Sequence, residues 1–221
     1  MTYNVLISCL HLQRTISQYL SLFQELGIFI EMPKIDQQLN ENQLIAIIGR
    51  FDGVVAGDDQ FTAKVLQKGE KLKIISKWGV GIDGIDLMEA ERLGITVKNT
   101  PAVFSEEVAD VVIGYLIMLT RQLHTIHENV QKGKWNETQI QGISLQGKTL
   151  GIIGLGNIGR AVARRAVSLG MNIIGYDVYP VSDEFKQNVP IKLLDLTEVY
   201  SQSDIITLHC PLTPETEYLI N

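Results

Sequence analysis

Cysteine is almost absent from this chain. Cys9 and Cys210 are the only two among 221 residues, far apart and with no CxxC or Cys/His spacing around either, which argues against a zinc centre and a disulfide framework. Two reduced thiols suit a cytoplasmic protein, and no metal site is expected. A basic excess is missing too. With 19 Lys and Arg against 25 Asp and Glu, the formal charge is -6, and no basic cluster supplies the electrostatic footprint that nucleic acid requires. Long apolar runs are lacking: the longest, Val111 to Leu119, is about half of what a bilayer crossing needs. The opening residues, MTYNVLISCLHLQR, carry no basic residue ahead of their apolar run, so neither a signal peptide nor a membrane segment is expected. There is no repeat of fixed period and no low-complexity stretch.

What is present is a hydrophobic content of 45%, enough for a substantial core in one large domain or two small ones. Short apolar strands alternate with amphipathic helices, the pattern of βαβ units in an α/β fold with mostly parallel sheets. Strands are expected at residues 4–9, 28–31, 53–56, 73–76 and 96–98, and helices at 15–26, 41–48, 62–68 and 86–93. Gly27, Gly49, Gly69 and Gly94 then stand as helix stops. One long helix is expected from Ser105, as its N-cap, to about Lys132, with Glu106 and Glu107 favourably placed on its dipole. Its centre is apolar nearly all round, which predicts burial either inside the chain or in a subunit interface. A loop follows at 133–148. Beyond residue 177 the pattern gives a weak strand at 191–194, a helix at 195–201 and a strong strand at 204–209 ended by Pro211 and Pro214. A domain boundary is expected near 101–105.

The stretch KTLGIIGLGNIGRAVARRAVSLGMNIIGYD, from Lys148 to Asp177, orders a strand, a glycine turn, a helix and a strand ending in an acid. That is the layout of a dinucleotide site. Gly154 makes the tight turn, Gly156 lets the backbone approach a pyrophosphate, and Gly159 lets the helix lie close to the strand. The helix starting at Asn157 aims its free amides and the positive end of its dipole at the phosphates. Asp177, eighteen residues past Gly159, can accept from both ribose hydroxyls and would repel a 2'-phosphate, so the cofactor expected is NAD and not NADP.

Four blocks carry a family resemblance: SKWGVGIDGIDL from Ser76, VKNTP from Val97, GKTLGIIGLGNIGR from Gly147 and SDIITLHCPLTPET from Ser203. In these the chain resembles the D-isomer-specific 2-hydroxyacid dehydrogenases, closest to their D-3-phosphoglycerate dehydrogenase-like branch, and the resemblance covers the whole chain. It implies a flavodoxin-like substrate lobe at 1–102 and an NAD-binding Rossmann lobe at 103–221, the latter incomplete after its fourth strand. It implies hydride transfer between NAD(H) and a small 2-hydroxy or 2-oxo acid, and a homodimer formed through the Rossmann lobe. By resemblance the backbone amides of Lys77, Trp78, Gly79, Val80 and Gly81 hold the substrate carboxylate, with Val80 also near the nicotinamide. Asn157 and Ile158 lie against the pyrophosphate, Asp177 on the adenine ribose, and Cys210 and Pro211 beside the cofactor. His209 is read as a structural strand-end histidine, while His11, His124 and His127 have no acidic partner at an informative spacing. Ala56 and Gly57 stand where phosphoglycerate-specific relatives can carry an Arg, a departure that weighs against that substrate.

Hydride transfer to or from a 2-hydroxy acid also needs an acid/base for the hydroxyl proton and a cation to polarise the carbonyl. The family supplies these as a His, a Glu and an Arg after the HCPLT turn. Here no Arg follows Arg165 and no His follows His209. No catalytic residue is therefore expected in this chain, which is expected to be inactive alone and to belong to a longer enzyme. The alternative is a non-catalytic NAD-binding or assembly subunit. The strand at 204–209 would be interior in a complete Rossmann sheet, and as an edge it would invite pairing.

Overall fold

The computed structural model describes residues 2–135 and 141–220. The chain divides into two compact units, Met1–Val103 and Phe104–Asn221.

In the first unit the strands β1 (Tyr3–Ile7), β2 (Ile28–Glu31), β3 (Gly53–Ala56), β4 (Ile74–Lys77) and β5 (Thr96–Lys98) form one sheet in the order β2-β1-β3-β4-β5. Every neighbouring pair is parallel, and this order is the flavodoxin-like one. Its helices are α1 (Leu10–Thr15), α2 (Leu20–Glu25), α3 (Glu41–Ile47), α4 (Ala63–Lys68) and α5 (Leu87–Arg92). Alternation along β1 sends Leu6 into a core with Leu44, Phe51, Phe61 and Ile75, and Ile7 into a smaller cluster with Cys9 and Leu12 on the opposite face. Both faces of the sheet are thus covered, as a parallel sheet requires. The helix expected at 15–26 is instead α1, a 3-10 turn at Ile16–Gln18 and α2. No Gly or Pro marks that break, so the apolar period ran straight through it.

The second unit opens with α6 (Ser105–Thr120) and α7 (Leu123–Gln131). These replace the single helix expected from Ser105 to Lys132, because Gln122 adopts a left-handed conformation at φ 51 that ends the first helix. The N-cap is Phe104, and Ser105 is the first helical residue. Ala109 and Leu116 of α6 enter the core, but Val111, Tyr115 and Leu119 are more than half exposed, so the helix is not buried on all sides within this chain. Of the loop expected at 133–148, residues 136–140 lie outside the described residues. Then follow β6 (Thr149–Ile153), α8 (Asn157–Ser168), β7 (Asn172–Tyr176), α9 (Asp183–Asn188), β8 (Ile191–Leu193), α10 (Leu196–Gln202) and β9 (Ile205–Leu208). The parallel sheet has the order β8-β7-β6-β9, the first half of a Rossmann sheet. Strand order reverses between β6 and β9, and ligands of open α/β sheets bind at such a point, beyond the carboxyl ends of the strands. Among the described residues β9 pairs only with β6 and forms one edge of the sheet.

Candidate functional site: a glycine turn and a carboxylate loop

At the β6 end of the second unit the three glycines do three different jobs. Gly154 has φ +93, and a Cβ there would lie 2.6 Å from the Cys210 nitrogen and 2.6 Å from the His209 carbonyl carbon. Only glycine lets the turn pass the end of β9 so closely. A Cβ on Gly159 would collide with the Gly154 carbonyl oxygen, which fixes how near α8 lies to β6. Gly156 differs, for nothing stands within 4 Å of its Cβ position. Packing does not require that glycine, whereas close approach of a ligand to its backbone would.

Around this opening, no described group accepts from the backbone amides of Gly156, Asn157, Ile158 or Gly159. The last three are the free donors of the first turn of α8, backed by the positive end of its dipole. The neighbouring amides are occupied: Gly154 N–H donates to the Tyr176 carbonyl (2.9 Å) and Leu155 N–H to Asp177 Oδ2 (2.5 Å). Asp177 Oδ1 accepts from Tyr179 N–H at 2.8 Å. The carboxylate is thereby fixed beside the turn, and each oxygen keeps acceptor capacity for a hydroxyl. These groups suit a dinucleotide: open amides for phosphates and an oriented acid for a ribose.

One support of the turn was not foreseen. Arg160 donates from Nε back to the Leu155 carbonyl (2.7 Å), and its guanidinium stacks over Phe185 at 5.5 Å. In sequence it is indistinguishable from the exposed cations of the same helix. His209 anchors the other side, donating its backbone N–H to Ile153 O (2.7 Å), while its Nε2 lies 3.0 Å from Thr207 Oγ1. Burial pushes its pKa below the usual imidazole value, so the ring is neutral near pH 7, in keeping with a structural role. Cys210 is a half-buried free thiol, and the Pro211 carbonyl accepts from Thr216 Oγ1 at 2.6 Å.

In the first unit the loop after β4 borders an open cleft of about 230 Å³ lined by Gly57–Asp59 and Lys77–Ile85. Of the five residues expected to present amides, Trp78 N–H is taken by Ala56 O (2.9 Å) and Gly79 N–H by Thr100 Oγ1 (3.0 Å). Lys77 belongs to β4. Val80 and Gly81 are left with no described acceptor for their amides, so these two are the loop donors open to a ligand. Asn99 Nδ2 holds the Val80 carbonyl at 2.7 Å, and Thr100 donates to Gly79 O from its backbone N–H (2.9 Å) and its hydroxyl (3.1 Å). The NTP segment is therefore the clamp of the GVG loop, a relation that their separation in sequence concealed. The Trp78 ring packs on the cluster of Ile7, Cys9 and Leu12 and anchors the loop from behind.

The opposite wall rests on Asp59, a residue sequence reasoning did not single out. Only 2% exposed, it accepts from Ser8 Oγ (2.5 Å), Gly57 N–H (3.1 Å) and Leu39 N–H (2.7 Å). An acid in the turn three residues past the end of β3 is the only signal that could have pointed to it. His and Arg are both absent from the described cleft lining. No group of three or more His, Cys, Asp or Glu able to hold a metal ion occurs among the described residues, and none of their helices is long and apolar enough to cross a membrane.

Residues 113–221 match the family model for the NAD binding domain of D-isomer specific 2-hydroxyacid dehydrogenases. Among curated proteins, a hydroxypyruvate reductase of Thermotoga maritima is 38% identical over 192 residues, spanning 86% of this chain and 61% of the relative. A D-3-phosphoglycerate dehydrogenase of Methanocaldococcus jannaschii is 42% identical over 168 residues, spanning 76% and 32%. The chain thus spans about three fifths of the first relative and a third of the second. Among solved structures, the TT0316 protein from Thermus thermophilus superposes with a TM-score of 0.81 at 30% identity, covering 98% of this chain and 67% of that one. A D-lactate dehydrogenase from Aquifex aeolicus, complexed with NAD and lactic acid, gives 0.85 at 28% identity, covering 99% and 63%.

Proposed function

This chain belongs to the D-isomer-specific 2-hydroxyacid dehydrogenases, and from that footing we propose that it carries the NAD site and the substrate-carboxylate loop of an NAD-dependent oxidoreductase acting on small 2-hydroxy and 2-oxo acids. The observation that carries the reading is the contrast among the glycines: Gly154 and Gly159 are required by packing, whereas Gly156 opens onto free amides. NAD, when bound, supplies the hydride acceptor. Gly156, Asn157 and Ile158 would hold its pyrophosphate, and Asp177 its ribose, with Cys210 and Pro211 on the β9 side of the turn. Val80 and Gly81 would orient the acid by its carboxylate, using donors already fixed by Asn99 and Thr100, so that little ordering cost remains on binding.

A second reading, a non-catalytic NAD-binding or assembly subunit, is favoured by one observation. Among the described residues, the cleft lining holds no His to move the hydroxyl proton and no Arg to polarise a carbonyl. The exposed apolar side chains Val111, Tyr115 and Leu119 on α6 support a homodimer in either reading.

Calorimetric titration of the purified chain with NAD and NADP, followed by an NADH oxidation assay with glyoxylate, pyruvate and hydroxypyruvate, tests both readings. The expected result is NAD binding at least about tenfold tighter than NADP, equivalent to about 1.4 kcal/mol, with the preference reduced in Asp177→Ala. Turnover by the chain would eliminate the second reading, and equal affinity for the two dinucleotides would overturn the cofactor assignment.

A further inference from the structure

Among its described lining residues, the cleft of the first unit holds one cation, and that cation is already matched. Lys77 reaches from the end of β4 with its side chain only 11% exposed, donating from Nζ to Gly57 O (2.7 Å) and Asp58 Oδ1 (2.6 Å). Its ammonium lies against the loop, 3.8 Å from where a Cβ on Gly79 would be. Asp58 is the opposite kind of partner, 86% exposed and held by this one contact among the described residues. Two further carboxylates line the same cleft: Asp59, buried beneath, and Asp83, whose Oδ1 lies 2.9 Å from a Cβ built on Gly81.

A ligand seated by its carboxylate on the Val80 and Gly81 amides therefore projects its remaining substituent into a space with three carboxylates and one neutralised ammonium. A second anionic group there gains no free cation and adds its charge to a lining that already carries the carboxylates of Asp59 and Asp83 beyond the Lys77–Asp58 pair. A hydroxyl or methyl meets no such penalty. We propose that Asp58, by occupying Lys77, makes this cleft select 2-hydroxy and 2-oxo acids with an uncharged substituent over phosphorylated or dicarboxylic ones. The proposal rests on the reading of the loop as the carboxylate site. It also makes Lys77 a latent phosphate anchor, released when the Asp58 charge is removed.

The test is NMR titration of the 15N-labelled chain with D-glycerate and D-3-phosphoglycerate, which differ only by the phosphate. The wild type is expected to show D-glycerate shifting the Val80 and Gly81 amides and D-3-phosphoglycerate binding at least about tenfold more weakly, a gap that removal of one close charge pair can change. Asp58→Asn is a substitution at an exposed side chain that leaves the fold intact. It is expected to tighten D-3-phosphoglycerate about tenfold while D-glycerate changes less than about twofold, the phosphate alone reaching the freed ammonium. Comparable wild-type affinities, or a ratio unmoved by Asp58→Asn, would overturn the selectivity while leaving the loop assignment standing. Absence of Val80 and Gly81 shifts with both ligands would overturn the loop assignment and the selectivity with it.

Discussion

At the scale of single residues, the buried acid and the partly buried base make distinct demands on stability. Asp59 satisfies three donors from three segments of the first unit, so Asp59→Ala strands the Leu39 and Gly57 amides and leaves the Ser8 hydroxyl only its 3.5 Å contact with the Val55 carbonyl. At about 1 to 3 kcal/mol for each group left unmet, the expected loss is at least about 2 kcal/mol, read as a lower urea midpoint for the first unit. His209 couples the second unit to pH. Its folded pKa is depressed by burial below the ordinary 6.5, so the unfolded chain takes up the proton more readily than the folded one. Its contribution is complete above the unfolded value and is lost as pH falls from about 6.5 through the folded value. The urea midpoint of the second unit is expected to be lower at pH 5.5 than at pH 7.5, and His209→Gln should flatten that difference. A difference of unchanged size in the variant would assign it to other groups.

At the scale of elements, the strand-turn-helix of β6 and α8 separates packing from binding. The buried side of α8 is built of Gly159, Ala161, Val162, Ala163 and Ala166, small residues that let the helix settle against the sheet. Gly159→Ala forces the Gly154 carbonyl away and is expected to destabilise the second unit by about 1 to 3 kcal/mol, as overpacking does. Gly156→Ala meets open space at φ -69, so stability should change by less than about 1 kcal/mol, the gain through the unfolded state being opposed by the poorer N-cap. Its NAD affinity should nonetheless fall at least about tenfold, or about 1.4 kcal/mol, because the methyl stands where the pyrophosphate would approach. Chemical denaturation beside calorimetry checks both variants. If NAD affinity survives in Gly156→Ala, the turn does not bind as proposed.

At the scale of the whole molecule, the two units have separate sheets and separate cores. NAD at about a hundred times its Kd should therefore add about 2.7 kcal/mol of protection, concentrated in amides of the second unit when followed by hydrogen exchange. Protection confined to the first unit would place the nucleotide elsewhere.

The sequence by itself determined the βα alternation, the strands at 28–31, 53–56 and 96–98, and the glycine motif with its acid. Each of these is written in local periodicity and turn chemistry, which neighbours along the chain set. The break at Gln122 was not legible, because no Gly, Asn or Pro announces a left-handed residue there. Only the tertiary structure decided that Gly156, alone among the three motif glycines, faces open space, since that depends on where the ends of β6 and β9 meet. It also decided that Thr100 takes one loop amide and leaves Val80 and Gly81 free, and that Lys77 is matched by Asp58. Residues about twenty positions apart meet there because parallel strands bring their carboxyl ends together, a proximity that no local pattern encodes.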